Sequence, residues 1–408
     1  MRTPAAIGHL DADCFYVSAE RVRDAFLLGK PVGVLGNQGA CVIAKSYEMK
    51  AAGVKTGTPI WDAIRLCPAG VYIKRDFRWY ETLSRQMLEV VRTFSPTVEY
   101  YSIDEFFFRA VPHQGLSLQQ TAEAMRDRIF ETVRVPVTVG LARTRTIAKL
   151  VSDTAKPFGA LALLDPDAER ALLERHPVTE ISGIGGRRAE RLQPYGIATC
   201  LDLARTERRL VRELLTRSGE ALWYELNGDP VVPLQTDRPP HKALSRGGSL
   251  GGATANPDRV YAWLVRNLER LVEELEFHGV RVGVLTVSVQ HWSGEEGFAH
   301  VRLRSPTDRF DLLLEAGQAC FRRAWIHGTP ATYMHVIATQ LRYPGFVQRS
   351  LFDPPEEQAR AVARAKREVN AHLGRFLVRS GATLPLTDVY RDEAQNYDIC
   401  DVRGKMCF

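Results

Sequence analysis

The stretch Ala5-Ala6-Ile7-Gly8-His9-Leu10-Asp11-Ala12-Asp13-Cys14-Phe15-Tyr16-Val17 decides the reading of this chain, together with Tyr101-Ser102-Ile103-Asp104-Glu105-Phe106-Phe107-Phe108. The first is a short apolar run that leads into a helix carrying Glu20 and Arg21, so Asp11 falls near the C-terminal end of a strand. The second is rich in aromatic and β-branched residues on both sides of a polar centre, and reads as two strands with acids where they meet. Successive strand residues point to opposite faces, so Asp104 and Glu105 can share a site only at a strand end or turn. A hairpin tip is therefore predicted there. Carboxylates converging from neighbouring strands are what nucleotidyl transfer with hard divalent cations requires, with substrate phosphates completing the coordination. On spacing alone, solvated loop acids are an equally good reading.

Working outward, the order strand, helix, strand, strand, helix, strand up to about Leu164 suits a split βαβ sheet. Between its halves, residues 30–75 are rich in Gly, Ala and turn formers, and a helix is expected from about Ile43 to Ala52, stopped by Gly53. A helix from Phe77 to Phe94 is closed by Ser95-Pro96, with Leu83, Met87, Leu88 and Val91 at helical spacing. Another helix is expected around Thr121 to Val133. Residues 168–232 read as all-helical, and Val231 to His241 as a linker. Beyond it, strand-like runs at 280–290, 300–303 and 335–340 alternate with helices at 258–277 and 310–324, which is a second α/β domain.

Bulk properties agree with a multidomain α+β protein. At 408 residues, two to four domains are expected. The chain is 45% hydrophobic and 25% charged, a composition that excludes a largely disordered protein. The amino terminus does not read as a signal peptide, and no stretch approaches the roughly 20 apolar residues of a membrane span. Seven scattered cysteines without a CxxC pair argue against a disulfide framework or zinc site and for a reducing cytoplasm. A net charge of +6 is a mild excess that by itself tips the balance only slightly toward a nucleic-acid partner.

His9-Leu10-Asp11-Ala12-Asp13-Cys14-Phe15-Tyr16 and Tyr101-Ser102-Ile103-Asp104-Glu105 together resemble the two metal-binding motifs of Y-family translesion DNA polymerases, near the bacterial UmuC-like and polymerase IV-like branches. The resemblance implies a palm (residues 1–27 and 76–165), small fingers (28–75) and a helical thumb (166–232). A linker (233–241), an α/β little finger (242–343) and a C-terminal tail (344–408) follow. It also implies catalytic and metal-binding roles for Asp11, Asp104 and Glu105, with the Ala12 carbonyl completing one of two Mg²⁺ sites that Mn²⁺ could also occupy. Asp13 stays unassigned, and is read as a solvated or helix-capping acid. Tyr16 matches the aromatic gate that excludes a ribose 2′-hydroxyl, and Phe15 beside it is expected against the triphosphate loop. Tyr47, Lys50 and Lys156 match triphosphate contacts; the family often has Arg at the Lys50 position, and Lys keeps the charge without the bidentate fork.

Ile181-Ser182-Gly183-Ile184-Gly185-Gly186-Arg187 resembles a helix-hairpin-helix turn, in which Gly183, Gly185, Gly186 and Arg187 would meet DNA phosphate. Residues 181–220 hold eight Arg against five acidic residues, which favours that reading over a plain helix cap. Arg246 is a further candidate phosphate contact. Gln348, Leu351 and Phe352, flanked by prolines, resemble the peptide that docks bacterial polymerases on the sliding clamp. The implied substrates are primer-template DNA and deoxynucleoside triphosphates, in DNA repair and the SOS response to DNA damage, with a UmuD-like partner left open and no membrane partner. A non-catalytic relative would have lost the acids, and a nucleotidyl cyclase would have no use for the hairpin turn or the clamp-like peptide.

Overall fold

The computed structural model describes residues 6–36, 41–237, 239–343 and 356–391. The chain divides into two compact units between residues 238 and 239, inside the expected linker.

The first unit opens with strand β1 (Ala6–Ala12) and helix α1 (Phe15–Arg23). Next come β2 (Val32–Leu35), β3 (Val42–Lys45), α2 (Tyr47–Ala51), α3 (Ile60–Leu66) and β4 (Val71–Lys74). β2 pairs antiparallel with β3 and parallel with β4 in a three-stranded sheet. The helix expected over residues 43–52 is thus half strand: Val42 and Ile43 carry β-branched side chains suited to a sheet, and helix formation waits for Ser46, whose hydroxyl caps the Met49 N–H.

The chain continues through α4 (Phe77–Phe94), β5 (Val98–Tyr100), β6 (Glu105–Ala110), α5 (Leu118–Val133), β7 (Val137–Ala142), α6 (Arg145–Ala155) and β8 (Ala160–Ala162). The five strands order as β5-β6-β1-β7-β8, with β1 central and antiparallel to both neighbours. Local signals set the helix ends. Asp76 caps α4, Ser117 and Gln120 form a capping box on α5, and Thr144 caps α6. Tyr80, Leu83, Met87 and Val91 bury one stripe of α4 in the same core as Leu10, Phe106, Phe108 and Val139. α6 lies so close to β7 that Gly140 admits no side chain there: an added Cβ would sit 2.4 Å from the Ser152 nitrogen and 2.5 Å from the Ala148 oxygen.

Four helices complete this unit: α7 (Pro166–Arg175), α8 (Gly186–Leu192), α9 (Cys200–Arg205) and α10 (Arg208–Leu226). Their apolar residues form one cluster with Ile147, Leu150 and Val151 of α6. The buried Glu225 carboxylate accepts the Thr146 and Val232 N–H groups, each at 3.0 Å, which ties α10 to the start of α6.

The second unit runs through β9 (Ala243–Thr254), α11 (Pro257–Phe277), β10 (Val282–His291), β11 (Glu296–Thr307), α12 (Phe310–Ala324) and β12 (Ala331–Thr339), and its four strands form an antiparallel sheet ordered β11-β10-β12-β9. Leu285, Val287, Val289, Met334 and Val336 share a core with Leu264, Leu268 and Cys320 of its helices. α13 (Glu356–Leu373) and α14 (Thr387–Arg391) follow. Leu386 and Val389 enter the same core, and Lys366, Arg375 and Asp388 pair with Glu269, Glu273 and Arg259 of α11. The described part of the expected tail is therefore built into this unit's core.

Gly140→Ala should destabilise the first unit by about 1–3 kcal/mol, because the clash is with backbone that cannot rotate away. A fall in the urea midpoint of that unit's unfolding transition checks it, and an unchanged midpoint refutes it.

Candidate active site

β1 brings the acids together through its register. Asp11 lies opposite Glu105 on β6 and Thr138 on β7, and the Ala12 N–H donates to the Asp104 carbonyl at 2.9 Å. Asp104 closes the turn between β5 and β6, and Glu105 is the first residue of β6, as the predicted hairpin tip requires. The Ser102 hydroxyl donates to the Asp104 carboxylate at 2.5 Å.

Two lysines that lie seven residues apart, bracketing the end of α6, meet these acids. Lys156 Nζ is 2.8 Å from Asp11 Oδ2 and 3.1 Å from Asp153, and Lys149 Nζ is 2.5 Å from Glu105 Oε1. Lys149 escaped the sequence reading, although its two-turn spacing from Lys156 was the available signal. Burial pushes the Asp11 carboxyl up to about 8, with the Lys156 ammonium pulling it down and the Glu105 charge pushing it up. Below Asp11, buried His9 lies against Phe107 and its Nδ1 is 2.7 Å from the Ser152 hydroxyl, which itself donates to the Lys149 carbonyl. Burial and then the nearby cations hold His9 well below its ordinary pKa, so it stays neutral.

The donor set consists of hard carboxylate oxygens. Among the described residues no three His, Cys, Asp or Glu side chains group closely enough to hold a metal ion unaided. Hard carboxylate oxygens suit a cation such as Mg²⁺, which takes one or two carboxylates and completes its shell with phosphate and water.

Tyr16, in the first turn of α1, is only 4% exposed. Its ring stacks on Tyr80 at 4.7 Å and 16°, with Phe77 edge-on at 5.7 Å. The Tyr80 hydroxyl donates to Glu20 at 2.6 Å, and Arg23 links Glu20 to Asp76. Phe15 is also buried, edge-on to Tyr80 and packed in the core, because the helix start turns it inward.

On the neighbouring sheet, Tyr47 begins α2 and Lys50 stands exposed near its end, with Lys45 close enough for Lys50 to help lower its pKa after burial. Arg21 grips Glu48 and so ties α1 to α2. Asp13 is neither solvated nor a cap: it is 3% exposed and accepts from Thr138 and from the Phe158 N–H. A carboxylate removed from water needs donors, and the fold supplies them from distant segments that spacing could not reveal.

Gly183 has φ +94, Gly185 caps α8, Gly186 begins it, and Arg187 is exposed. Arg188 donates back to the Gly183 carbonyl at 2.7 Å. Arg246 is committed to Glu274 of α11 at 2.5 Å, on the helix-covered side of its sheet. The register instead sets exposed His300 and Arg302 of β11 with Thr286 and Val284 of β10, on the strand face away from Leu285 and Val287. Gln348, Leu351 and Phe352 lie outside the described residues.

Removing the Lys156 charge removes a pull that lowers Asp11, so in Lys156→Met the Asp11 carboxyl should titrate above about 8. A carbon-13 NMR titration reads this directly, and an unmoved or lowered midpoint would contradict the ion pair.

Residues 10–153 match the impB/mucB/samB family, and residues 241–351 match that family's C-terminal domain. DNA polymerase IV 2 of Mesorhizobium japonicum is 35% identical over 322 residues, 77% of this chain and 75% of that protein. DNA polymerase IV 1 of Bacillus subtilis is 28% identical over 387 residues, 93% of each chain. The solved Y-family DNA polymerase chimera Dbh-Dpo4(243-245)-Dbh, 19% identical, superposes with a TM-score of 0.69 over 83% of this chain and 99% of its own, a likeness of fold. With both family domains matched in order around a sheet that gathers Asp11, Asp104 and Glu105, the chain belongs to the Y-family of translesion DNA polymerases.

Proposed function

We propose that this DNA polymerase adds deoxynucleotides to a primer 3′ end by two-metal nucleotidyl transfer, in tolerance of DNA damage. The observation that carries the reading is the pairing of Asp11 with Glu105 beside Asp104 at one end of the central strands. Two Mg²⁺ ions, which Mn²⁺ could replace, would supply charge stabilisation to the attacking, transferring and leaving oxygens. Asp11, Asp104, Glu105 and the Ala12 carbonyl would hold them.

The other residues bind and select. Lys156, Tyr47 and Lys50 face the triphosphate as donors to a polyanion, with Lys45 adding charge beside Lys50. Tyr16 excludes a 2′-hydroxyl by filled volume alone, and its stack on Tyr80 keeps that volume from yielding. In this reading the five-stranded sheet is the palm, the three-stranded sheet the fingers and α7–α10 the thumb, whose Gly183–Gly186 turn and Arg187 grip phosphate. The second unit is the little finger, with His300 and Arg302 more available to DNA than Arg246. Phosphate contacts of this kind hold DNA without reading its sequence. Docking of Gln348, Leu351 and Phe352 on a sliding clamp would raise processivity through local concentration. A UmuD-like partner, an SOS role and a cytoplasmic setting accord with this reading.

Asp104→Ala should slow primer extension at least about a hundredfold, the scale on which charge stabilisation is lost from an active site. Extension at near wild-type rate would remove the metal assignment. Tyr16→Ala should raise ribonucleotide insertion relative to deoxynucleotide insertion by about tenfold or more, since a steric wall is gone. Unchanged sugar selection in single-nucleotide assays would refute the gate.

A further inference from the structure

We propose that Asp13 is a positioning residue that sets the triphosphate contacts by tying the turn after Lys156 and the Tyr47 end of α2 to strand β7. The proposal rests on the polymerase reading above. Its basis is geometric. Both carboxylate oxygens of Asp13 are 3.1 Å from the Thr138 hydroxyl on β7, one lies 2.7 Å from the Phe158 N–H, and the Tyr47 hydroxyl on α2 is 3.5 Å away. The Asp13 main chain is fixed as well: its N–H donates to the Pro136 carbonyl at 2.9 Å, and its own carbonyl accepts the Ser18 hydroxyl at 2.5 Å.

The Phe158 contact matters because of what it restrains. Phe158 has φ +50, a left-handed conformation that is strained for a residue with a Cβ and persists only where its surroundings enforce it. It follows Lys156 by two residues, and Lys156 Nζ reaches Asp11. The Asp13 carboxylate holds the N–H of the strained residue itself, while Arg126 and Phe130 hold its ring. Without Asp13 the turn would relax and Lys156 would leave its place over the acids. The same carboxylate, at longer range, orients the Tyr47 phenol across the gap to the fingers. One buried anion therefore sets the relative positions of a lysine just past the end of α6 and a tyrosine at the start of α2.

An asparagine keeps one carbonyl for the Phe158 N–H, and its amide can donate to the Thr138 oxygen, so shape and most bonds survive; an alanine removes them all. The test is single-nucleotide insertion on primer-template DNA by the full chain. Wild-type extension that is abolished in Asp104→Ala first establishes the polymerase reading, and a wild-type chain that extends nothing would sink that reading and this one together. In Asp13→Ala the KM for a matched deoxynucleotide should rise about tenfold or more with kcat within about threefold, the pattern of lost binding shared by ground and transition states. The rise should be equal for all four nucleotides and for matched and mismatched insertions, because only the phosphates are affected. Asp13→Asn should recover most of the loss. If Asp13→Ala does not fold, Thr138→Val decides: it keeps the packing and should raise KM about threefold with kcat unchanged. An unmoved KM, a fall in kcat alone, or an asparagine variant that in kinetics is no better than alanine overturns the proposal.

Discussion

The antiparallel register of β1 against β6 is the constraint on which the rest depends. It sets Asp11 beside Glu105, and the Ala12 N–H on the Asp104 carbonyl locks the hairpin tip at that height. Side chains alternate along a strand, so a slip of one residue would turn Asp11 to the opposite face and bring Leu10 or Ala12 to the site. The slip is prevented by burial on both faces. Leu10, Phe106 and Phe108 fill one core, while His9 and Phe107 pack together on the other side. A register held by so many apolar contacts can place like charges side by side.

Those charges are then balanced from α6. Lys149 of α6 and Lys156 just past its end approach the sheet from one side, and the closeness of α6 is set by Gly140, where a methyl group would meet the helix backbone. Asp13 extends the pattern, a buried carboxylate that accepts from the Thr138 hydroxyl and the Phe158 N–H, and at longer range from the Tyr47 hydroxyl, all from segments far apart in sequence. Charged groups at this end of the sheet are thus held by the fold before any substrate arrives, which is the preorganisation that electrostatic catalysis relies on.

Much of this was legible in the sequence. The strand-to-helix passage at Asp11, the hairpin tip at Asp104-Glu105 and the helix at 310–324 follow from alternation, aromatic content and periodicity, which are local. What was not legible depends on partners elsewhere. Val42–Lys45 is too short a strand to outweigh the helix formers after it. β9 carries four glycines and pairs through its backbone, so no apolar alternation announces it. Asp13 reads as a surface acid until Thr138 and Phe158 are brought to it. Arg266, Asn267, Glu269 and Arg270 of α11 make its far face look solvated, yet they are buried, with Lys366 and the Ser380 N–H meeting Glu269.

In the reading proposed above, Asp11, Asp104 and Glu105 form the metal-holding end of a polymerase palm. Anomalous diffraction from crystals of the protein with primer-template DNA, a non-hydrolysable deoxynucleoside triphosphate and Mn²⁺ tests it most directly. A manganese peak is expected within about 2 Å of carboxylate oxygens of both Asp11 and Asp104 and beside the triphosphate. A peak that touches the triphosphate but neither aspartate would contradict it.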